Sequence, residues 1–174
     1  QGDVTLAANA VLLHFITFMA FFLDGFANAT EAITGKAIGA GNQALLKKGF
    51  HYAAIWSVAI ALLFSFTYSL FGSNIIQLLT TIPEVIHSAE DYLIWLVIAP
   101  LIGVWSYLFD GLFIGAMRSV EMRNTMLLSA FVCYLPAWFI LQPYGNDGLW
   151  IALLIFLAAR GISQAYYLPR ILST

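Results

Sequence analysis

FFLDGFANATEAITGKAIGAGN, residues 21–42, places acidic and amide side chains inside a long apolar run. Asp24, Asn28, Glu31 and Gly35 are spaced i, i+4, i+7 and i+11, which puts them on one face of a helix. In hydrocarbon, each acid costs on the order of 2.5–3.5 kcal/mol at a helix centre. The stretch therefore predicts a helix whose polar face is turned toward protein or water rather than toward lipid.

The composition of the whole chain indicates which solvent surrounds it. Of the 174 residues, 61% are hydrophobic and 9% are charged, and the mean hydropathy is +0.88. Soluble domains carry about 25% charged residues, so this chain cannot cover a surface that faces water. Long apolar runs without the strict alternation of a β-barrel favour helices. We therefore predict an all-α, polytopic transmembrane helix bundle in a lipid bilayer.

The positions of the membrane spans follow from length. A helix needs about 20 apolar residues to cross the hydrocarbon core. Segments of this kind lie at about 5–38, 50–72, 88–117, 122–142 and 147–168. The first and the third are long enough to tilt or to project beyond the core. The chain is thus expected to cross the membrane once with each of these segments.

Turn signals separate the predicted spans. GAGN (39–42) offers a glycine C-cap, whereas FGSN (71–74) and PYGNDG (143–148) are typical of turns. Thr81 and Glu84 have the spacing of a capping box. The segment 74–87 is therefore expected to form a short interfacial helix before the third span.

The charges are distributed unevenly between the two sides of the predicted bundle. All basic residues fall on one side: Lys36, Lys47, Lys48, Arg118, Arg123, Arg160 and Arg170. Asp3, Glu84, Glu90, Asp91 and Asp147 fall on the other. The positive-inside rule then puts the N-terminus of this segment outside and its C-terminus in the cytoplasm. An outside N-terminus that starts at Gln1 predicts a fragment, the C-terminal part of a longer polytopic protein.

A second acid lies within the third span, in GVWSYLFDGLFIGAMR, residues 103–118. Asp110 shares its helix face with Tyr107. Gly111 and Gly115 form a GxxxG pair, which lets another helix approach closely.

Acids inside a membrane are rare and by default mark ion or substrate pathways. Asp24, Glu31 and Asp110 are therefore candidate functional residues. The alternative is that Asp24 or Asp110 accepts structural hydrogen bonds from a neighbouring helix. Glu31, about 10 Å further along the helix than Asp24, could also simply emerge among the lipid headgroups.

The sequence gives little support for a disulfide or a metal site. Cys133 is the single cysteine, and the three histidines are scattered without ligand spacing. We expect no catalytic residue and no metal site, and hence no enzyme.

Two motifs carry a resemblance to a known family. LDGFANATEAITGKAIGAGN (23–42) and LFDGLFIGAMRSVEMRN (108–124) resemble the multidrug and toxic compound extrusion (MATE) transporters, in particular their DNA-damage-inducible protein F branch. The resemblance runs from Val4 to Arg170 and covers less than half of a family member. Family members have twelve helices in two lobes, so residues 1–174 are expected to form a partial C-terminal lobe that matches helices eight to twelve.

The resemblance implies a secondary antiporter of the bacterial inner membrane. It would export amphipathic, often cationic, small organic molecules in exchange for H⁺ or Na⁺, by alternating access of its two lobes. The partners would be the N-terminal lobe and helix seven of the same protein, which this chain lacks. No cofactor besides the coupling ion and no nucleic acid is expected.

The resemblance also implies roles for particular residues. Asp110 falls where several family members have a carboxylate implicated in cation coupling, and Asp24 and Glu31 match acids of the branch. With Asn28 and Tyr107 they form the expected set for the coupling ion or the substrate. Further acids that the family carries on helices one and seven are absent from this chain.

Aromatic and methionine side chains suit adaptable contacts with varied substrates. Phe109, Phe113 and Met117, like Tyr107, lie near Asp110 in the sequence and are candidates for such contacts. The alternative is that they only pack between helices.

Other classes of function stay open. A lipid-linked precursor flippase would need a basic cavity for pyrophosphate, and among the basic residues only Arg160 approaches the middle of the membrane. An intramembrane enzyme would need a catalytic constellation that the surrounding sequence does not support. A non-transporting fragment is the third alternative.

Overall fold

The computed structural model describes residues 2–173, and every regular element within that range is helical, which confirms the all-α prediction. The elements in chain order are α1 (Asp3–Gly39), α2 (Gln43–Leu79), α3 (Pro83–Asp91), α4 (Leu93–Gly115), α5 (Ser119–Leu128), a π-helix (Ser129–Tyr134), α6 (Leu135–Leu141), a 3-10 turn (Gln142–Tyr144), α7 (Gly145–Ala165) and α8 (Leu168–Leu172).

Four helical stretches of the described chain are long and apolar enough to cross a membrane. They are 3–39, 43–79, 93–115 and 119–172. The last contains both the fourth and the fifth predicted span, because its helical elements from α5 to α7 follow one another without a break. Within it, α7 packs back against the π-helix and α6. Tyr134 and Phe156 meet ring to ring across this hairpin, with centroids 6.1 Å apart.

The connection between α1 and α2 confirms the glycine cap predicted at GAGN. Gly41 has a φ of +60°. Its amide donates to the carbonyl of Ile38 at 3.0 Å, and the amide of Asn42 donates to that of Ala37 at 2.9 Å, as in a Schellman motif. The Asn42 side chain then caps α2 by accepting from the Leu45 amide at 2.9 Å. The tight cap makes α1 and α2 antiparallel neighbours.

The turn predicted at FGSN is wrong, because α2 continues through it to Leu79. Gly72 lies where an added Cβ would meet the Leu93 side chain at 2.6 Å. The Ser73 hydroxyl donates to the carboxylate of Glu90 on α3. Glycine and serine here serve contacts between helices rather than a turn, a distinction that local composition does not reveal.

The capping box and the short helix at 74–87 are also incorrect in detail. The short helix is α3, and its N-cap is Ile82, which makes no side-chain cap bond. Pro83 occupies the first helical position, where its missing N–H costs nothing. Thr80, not Thr81, bonds locally, by accepting from the Ile82 amide at 3.3 Å.

The lengths of the helices differ from those of the predicted spans. α1 and α2 have 37 residues each, which is about 55 Å at 1.5 Å per residue and exceeds a core of about 30 Å. The first span is thus as long as predicted and the second is longer. The third is shorter than predicted, because Tyr92 separates α3 from α4, and α4 has only 23 residues.

Irregular backbone occurs at two further places in the described chain. The π-helix at 129–134 lies directly before Pro136, whose ring would otherwise disturb the hydrogen bonds of a regular α-helix. Gly145, in the predicted turn at 143–148, has a φ of +60° and starts α7.

α4 lies at the centre of the bundle and packs against α1, α2 and α7. Its GxxxG pair contacts the backbone of α1, as predicted. A Cβ at Gly111 would overlap the carbonyl oxygen of Ala27, and one at Gly115 would lie 2.8 Å from Cβ of Thr34. The two helices run in the same direction with almost no side chain between them at this crossing.

The ends of the bundle differ in charge. The connections α1–α2 and α4–α5 and the segment after α7 share one end, which we call the basic end; it carries Lys36, Lys47, Lys48, Arg118, Arg123 and Arg170. The opposite end, which we call the acidic end, carries Asp3, Glu84, Glu90, Asp91 and Asp147.

The crossing of α1 and α4 leads to the first prediction. Gly111→Ala will lower the free energy of unfolding of the complete protein by about 1–3 kcal/mol, because the new methyl group forces the backbones apart. The matched control is Gly39→Ala, where an added Cβ meets nothing within 4 Å. Thermal unfolding in detergent measures both, and equal stability of the two variants would refute the close contact.

The end of α4 leads to the second prediction. Met117 has a φ of 57°, and its side chain is 92% exposed. A left-handed conformation costs an L-residue about 1–2 kcal/mol that glycine avoids. Met117→Gly should therefore raise the unfolding temperature of the complete protein, whereas Ile114→Gly, inside α4, should lower it. A lower unfolding temperature for Met117→Gly would contradict the assignment.

Candidate functional site

A charged cluster lies where α1, α4 and α7 meet. Asp110 of α4 accepts hydrogen bonds from two side chains of α7. Nη2 of Arg160 donates to Oδ2 of Asp110 in an ion pair, and Nε2 of Gln164 donates to Oδ1 at 2.7 Å. Each carboxylate oxygen therefore has one partner from the neighbouring helix.

The ion pair is largely enclosed. The side chain of Arg160 is 14% exposed and that of Asp110 is 18% exposed. Asp110 lies five residues before the end of α4, about 8 Å along the axis, toward the basic end. Because a lone charge in this environment would be costly, the two opposite charges stabilise each other there.

Small residues bring α7 close enough to α4 for this pairing. An added Cβ at Gly161 would lie 3.3 Å from Cβ of Trp105 and 3.7 Å from the amide nitrogen of Ser106. Arg160 directly precedes this glycine, and Gln164 follows one turn later on the same face. The close approach therefore points both side chains at α4.

Sequence reasoning placed Arg160 at the inner end of the fifth span and made no use of Gln164. The signal was present, since two polar residues at i and i+4 stand in an otherwise apolar helix. Their shared target on α4 depends on how the helices cross, which one sequence does not show.

Asp24 of α1 belongs to the same cluster. It lies near Tyr107 and Asp110 of α4. The contact between Ala27 and Gly111 explains this proximity, because it sets these parts of the two helices at the same level. The structure thus brings together three of the predicted site residues.

The polar stripe of α1 lies at the edge of its contact with α4. The buried face of α1 includes Leu23, Ala27, Thr30 and Thr34, each one residue before a member of the stripe. Asp24 and Asn28 are exposed, and Glu31 is half-buried. Nothing in the described chain covers this edge, so the first two side chains face outward from the bundle.

The aromatic and methionine candidates near Asp110 separate into different environments. Phe109 is buried and stacks on Phe50, with ring centroids 6.0 Å apart and planes at 13°. Phe113 is fully buried, and Met117 lies beyond the end of α4. Tyr107 is half-buried and packs against the apolar core. The packing interpretation therefore holds for Phe109 and Phe113 and in part for Tyr107.

Two polar atoms of the cluster have no partner in the described chain. Nε of Arg160 and Oε1 of Gln164 are buried and make no hydrogen bond. The cluster therefore keeps one unused donor and one unused acceptor beside the ion pair. Within residues 2–173, no group of three or more His, Cys, Asp or Glu side chains lies close enough together to hold a metal ion.

A second polar cluster, which sequence reasoning missed, lies near the acidic end. Asn9 of α1 and Asn146 of α7 exchange amide hydrogen bonds of 2.7 and 3.0 Å, and Nε1 of Trp150 donates to Oδ1 of Asn9 at 3.1 Å. Nε1 of Trp95 donates to Asp147 at 2.8 Å. The buried bonds fasten α7 to α1, and the exposed bond of Trp95 fastens it to α4, at the end opposite the charged cluster.

The enclosed ion pair leads to the third prediction. Asp110→Ala leaves Arg160 buried without its acceptor, which should lower the free energy of unfolding by about 3–5 kcal/mol. The double variant Asp110→Ala/Arg160→Ala should be more stable than Asp110→Ala alone, because it also removes the unpaired charge. Thermal unfolding of the complete protein measures both.

The control for this prediction is the other ion pair of the described chain. Arg118 and Glu121 are 3.2 Å apart, and each side chain is about a third exposed. Glu121→Ala should cost less than about 1 kcal/mol. A loss for Asp110→Ala no larger than that for Glu121→Ala would show that the enclosed pair is dispensable.

Comparisons with known proteins show which family the chain is similar to. The model of the MatE family matches residues 1–144. DNA damage-inducible protein F of Escherichia coli (strain K12) is 47% identical over 164 residues, which are 94% of this chain and 36% of that protein. The chain thus spans little more than a third of the length of this relative.

A solved structure supports the fold. The eukaryotic MATE transporter AtDTX14 superposes with a TM-score of 0.88 at 13% identity, over 96% of this chain and 38% of that one. At such low identity the likeness concerns the fold alone.

Proposed function

Because the chain belongs to the MatE family of transporters, we propose that the complete protein is a secondary antiporter. It exports amphipathic or cationic organic molecules in exchange for H⁺ or Na⁺. The present chain supplies most of the C-terminal lobe, helices eight to twelve, and works together with an N-terminal lobe and helix seven. The two lobes expose a central cavity alternately to either side of the membrane.

The observation that carries this proposal is the placement of the acids. Asp24 and Asp110 come together where α1, α4 and α7 meet, and Asp24 is not covered by any described part of the chain. An ionisable group that leaves the protein core within a membrane needs water or a further protein surface beside it. The uncovered edge of α1 is therefore the side on which a cavity between lobes fits.

A negative cluster can couple two fluxes by competition. The coupling ion and a cationic substrate are both attracted to the same carboxylates, so binding of one weakens binding of the other. If the two ligands also favour different conformations, each turnover exchanges one for the other. Asp110 and Asp24 hold the charge in this scheme, and we assign Tyr107, Asn28 and Glu31 to the same site.

We further propose the orientation that the charges favour. The basic end of the bundle faces the cytoplasm, the start of α1 lies outside, and α8 lies at the cytoplasmic surface. The membrane is the bacterial inner membrane.

The flippase alternative receives less support from the structure. Such a transporter needs unpaired basic groups to bind pyrophosphate. Arg160, the basic residue deepest in the spans, already has its charge paired with Asp110. A non-transporting role and an enzymatic role have no geometric feature in their favour, and we propose neither.

The proposed function leads to the fourth prediction. Cells that express the complete gene should accumulate less ethidium than cells without it, and an uncoupler of the proton gradient or a sodium ionophore should abolish the difference. Asp110→Asn should reduce coupled efflux at least about tenfold, because the neutral amide no longer attracts cations. Dye fluorescence in cells measures the effect at equal amounts of membrane protein.

The matched control is Asp91→Asn, which removes an exposed acid at the acidic end of the bundle. It should leave efflux unchanged. Full coupled efflux by Asp110→Asn would remove Asp110 from the mechanism, and no efflux by the wild-type protein would argue against export of this class of compound.

A further inference from the structure

We propose that Arg160 is a built-in counter-ion of Asp110, and that a cationic ligand reaches Asp110 only by displacing it. The site would then be an exchange site, in which the protein's own guanidinium occupies the place of the ligand between turnovers. This inference rests on the proposed function and specifies which group pairs with its central carboxylate between turnovers.

Asp110 is already occupied by two partners from α7. Oδ2 receives Nη2 of Arg160, and Oδ1 receives Nε2 of Gln164 at 2.7 Å. A second cation at the carboxylate would lie next to the guanidinium. Two like charges in contact repel each other strongly where little water screens them. A cation and Arg160 therefore cannot both stay on Asp110 at little cost.

The net charge of the cluster also favours a single bound cation. Asp24 and Asp110, when ionised, carry two negative charges, and Arg160 returns one positive charge. One negative charge remains, which matches a single monovalent cation or a single proton. Asp24 lies at the level of Asp110, because Ala27, one turn further along α1, contacts Gly111. It is therefore the acid toward which a displaced guanidinium can turn.

α7 has unused hydrogen-bonding capacity at this cluster. Oε1 of Gln164 is buried without a partner, and the whole residue has no exposed surface. An amide can donate to a carboxylate, or it can flip and accept from a carboxylic acid. Nε of Arg160 is likewise a buried donor without an acceptor. The cluster thus holds the groups needed for a second arrangement in which Arg160 has left Asp110.

The alternative is that the ion pair has a purely structural role and only fastens α4 to α7. The two interpretations predict different effects of removing Arg160 on the affinity for a cationic ligand. Loss of a purely structural arginine can only weaken ligand binding or leave it unchanged. Loss of a competing counter-ion strengthens binding of a cation, because the ligand no longer has to displace anything.

The experiment measures binding of ethidium to the complete protein, purified in detergent, by fluorescence polarisation. Arg160→Gln should tighten binding at least about tenfold, whereas Arg160→Lys, which keeps the charge, should stay near the wild-type affinity. Adding Asp110→Asn to Arg160→Gln should remove the gain. The control Arg123→Gln removes an exposed positive charge of α5 at the basic end and should have no effect.

A second variant covers the case in which Arg160→Gln does not fold. Asp24→Asn alters an exposed side chain and leaves the ion pair in place, but it brings the net charge of the cluster to zero. It should weaken ethidium binding at least about tenfold while the protein keeps its wild-type unfolding temperature. Unchanged affinity of this variant would overturn the charge balance proposed here.

The outcomes separate this inference from the proposed function. If the wild-type protein exports and binds ethidium but folded Arg160→Gln binds it no more tightly, the counter-ion role is refuted and the export function stands. If the wild-type protein neither binds nor exports organic cations, the proposed function fails and the exchange site fails with it.

Discussion

The contact between α1 and α4 is the constraint on which the rest of the arrangement depends. Gly111 and Gly115 present bare backbone to Ala27 and Thr34, so the two helices come as close as helices can. In a membrane, where lipid is as apolar as the side chains, such close packing is a main source of helix association. The same crossing sets Asp24 beside Asp110. Any side chain added at Gly111 would separate the helices and disperse the acids.

The charged cluster follows from a second constraint, the cost of charge in hydrocarbon. Asp110 meets it with a cation from α7, which Gly161 allows to approach α4 closely. Asp24 has no such partner among the described residues and stays at the uncovered edge of α1. Asp110 is thus neutralised inside the bundle, whereas Asp24 needs water or another part of the complete protein beside it. This asymmetry is compatible with the exchange site that we propose.

Much of the fold could be predicted from the sequence, because membrane helices are recognisable from the length and composition of their apolar segments. The caps at GAGN and the close contact at the GxxxG pair were also predictable, since each depends on a few adjacent residues. FGSN was misinterpreted because Gly72 and Ser73 fit a turn locally, yet they contact Leu93 and Glu90 of later elements.

The candidate site was predictable only in part. The helical spacing of the acids was visible, and so was the isolation of Arg160 in an apolar span. The pairing of Asp110 with Arg160 and Gln164, and the link between Asn9 and Asn146, depend on how distant helices cross. Sequence spacing within one helix carries no information about that crossing.

The central claim is that the polar stripe of α1 faces a watery path rather than lipid. Cysteine labelling of the complete protein tests it directly, in a Cys133→Ala background with a charged thiol reagent that does not cross membranes. The account predicts that Asn28→Cys reacts from at least one side of the membrane, whereas Phe22→Cys, on another face of α1, does not. Equal protection of both cysteines from both sides would contradict it.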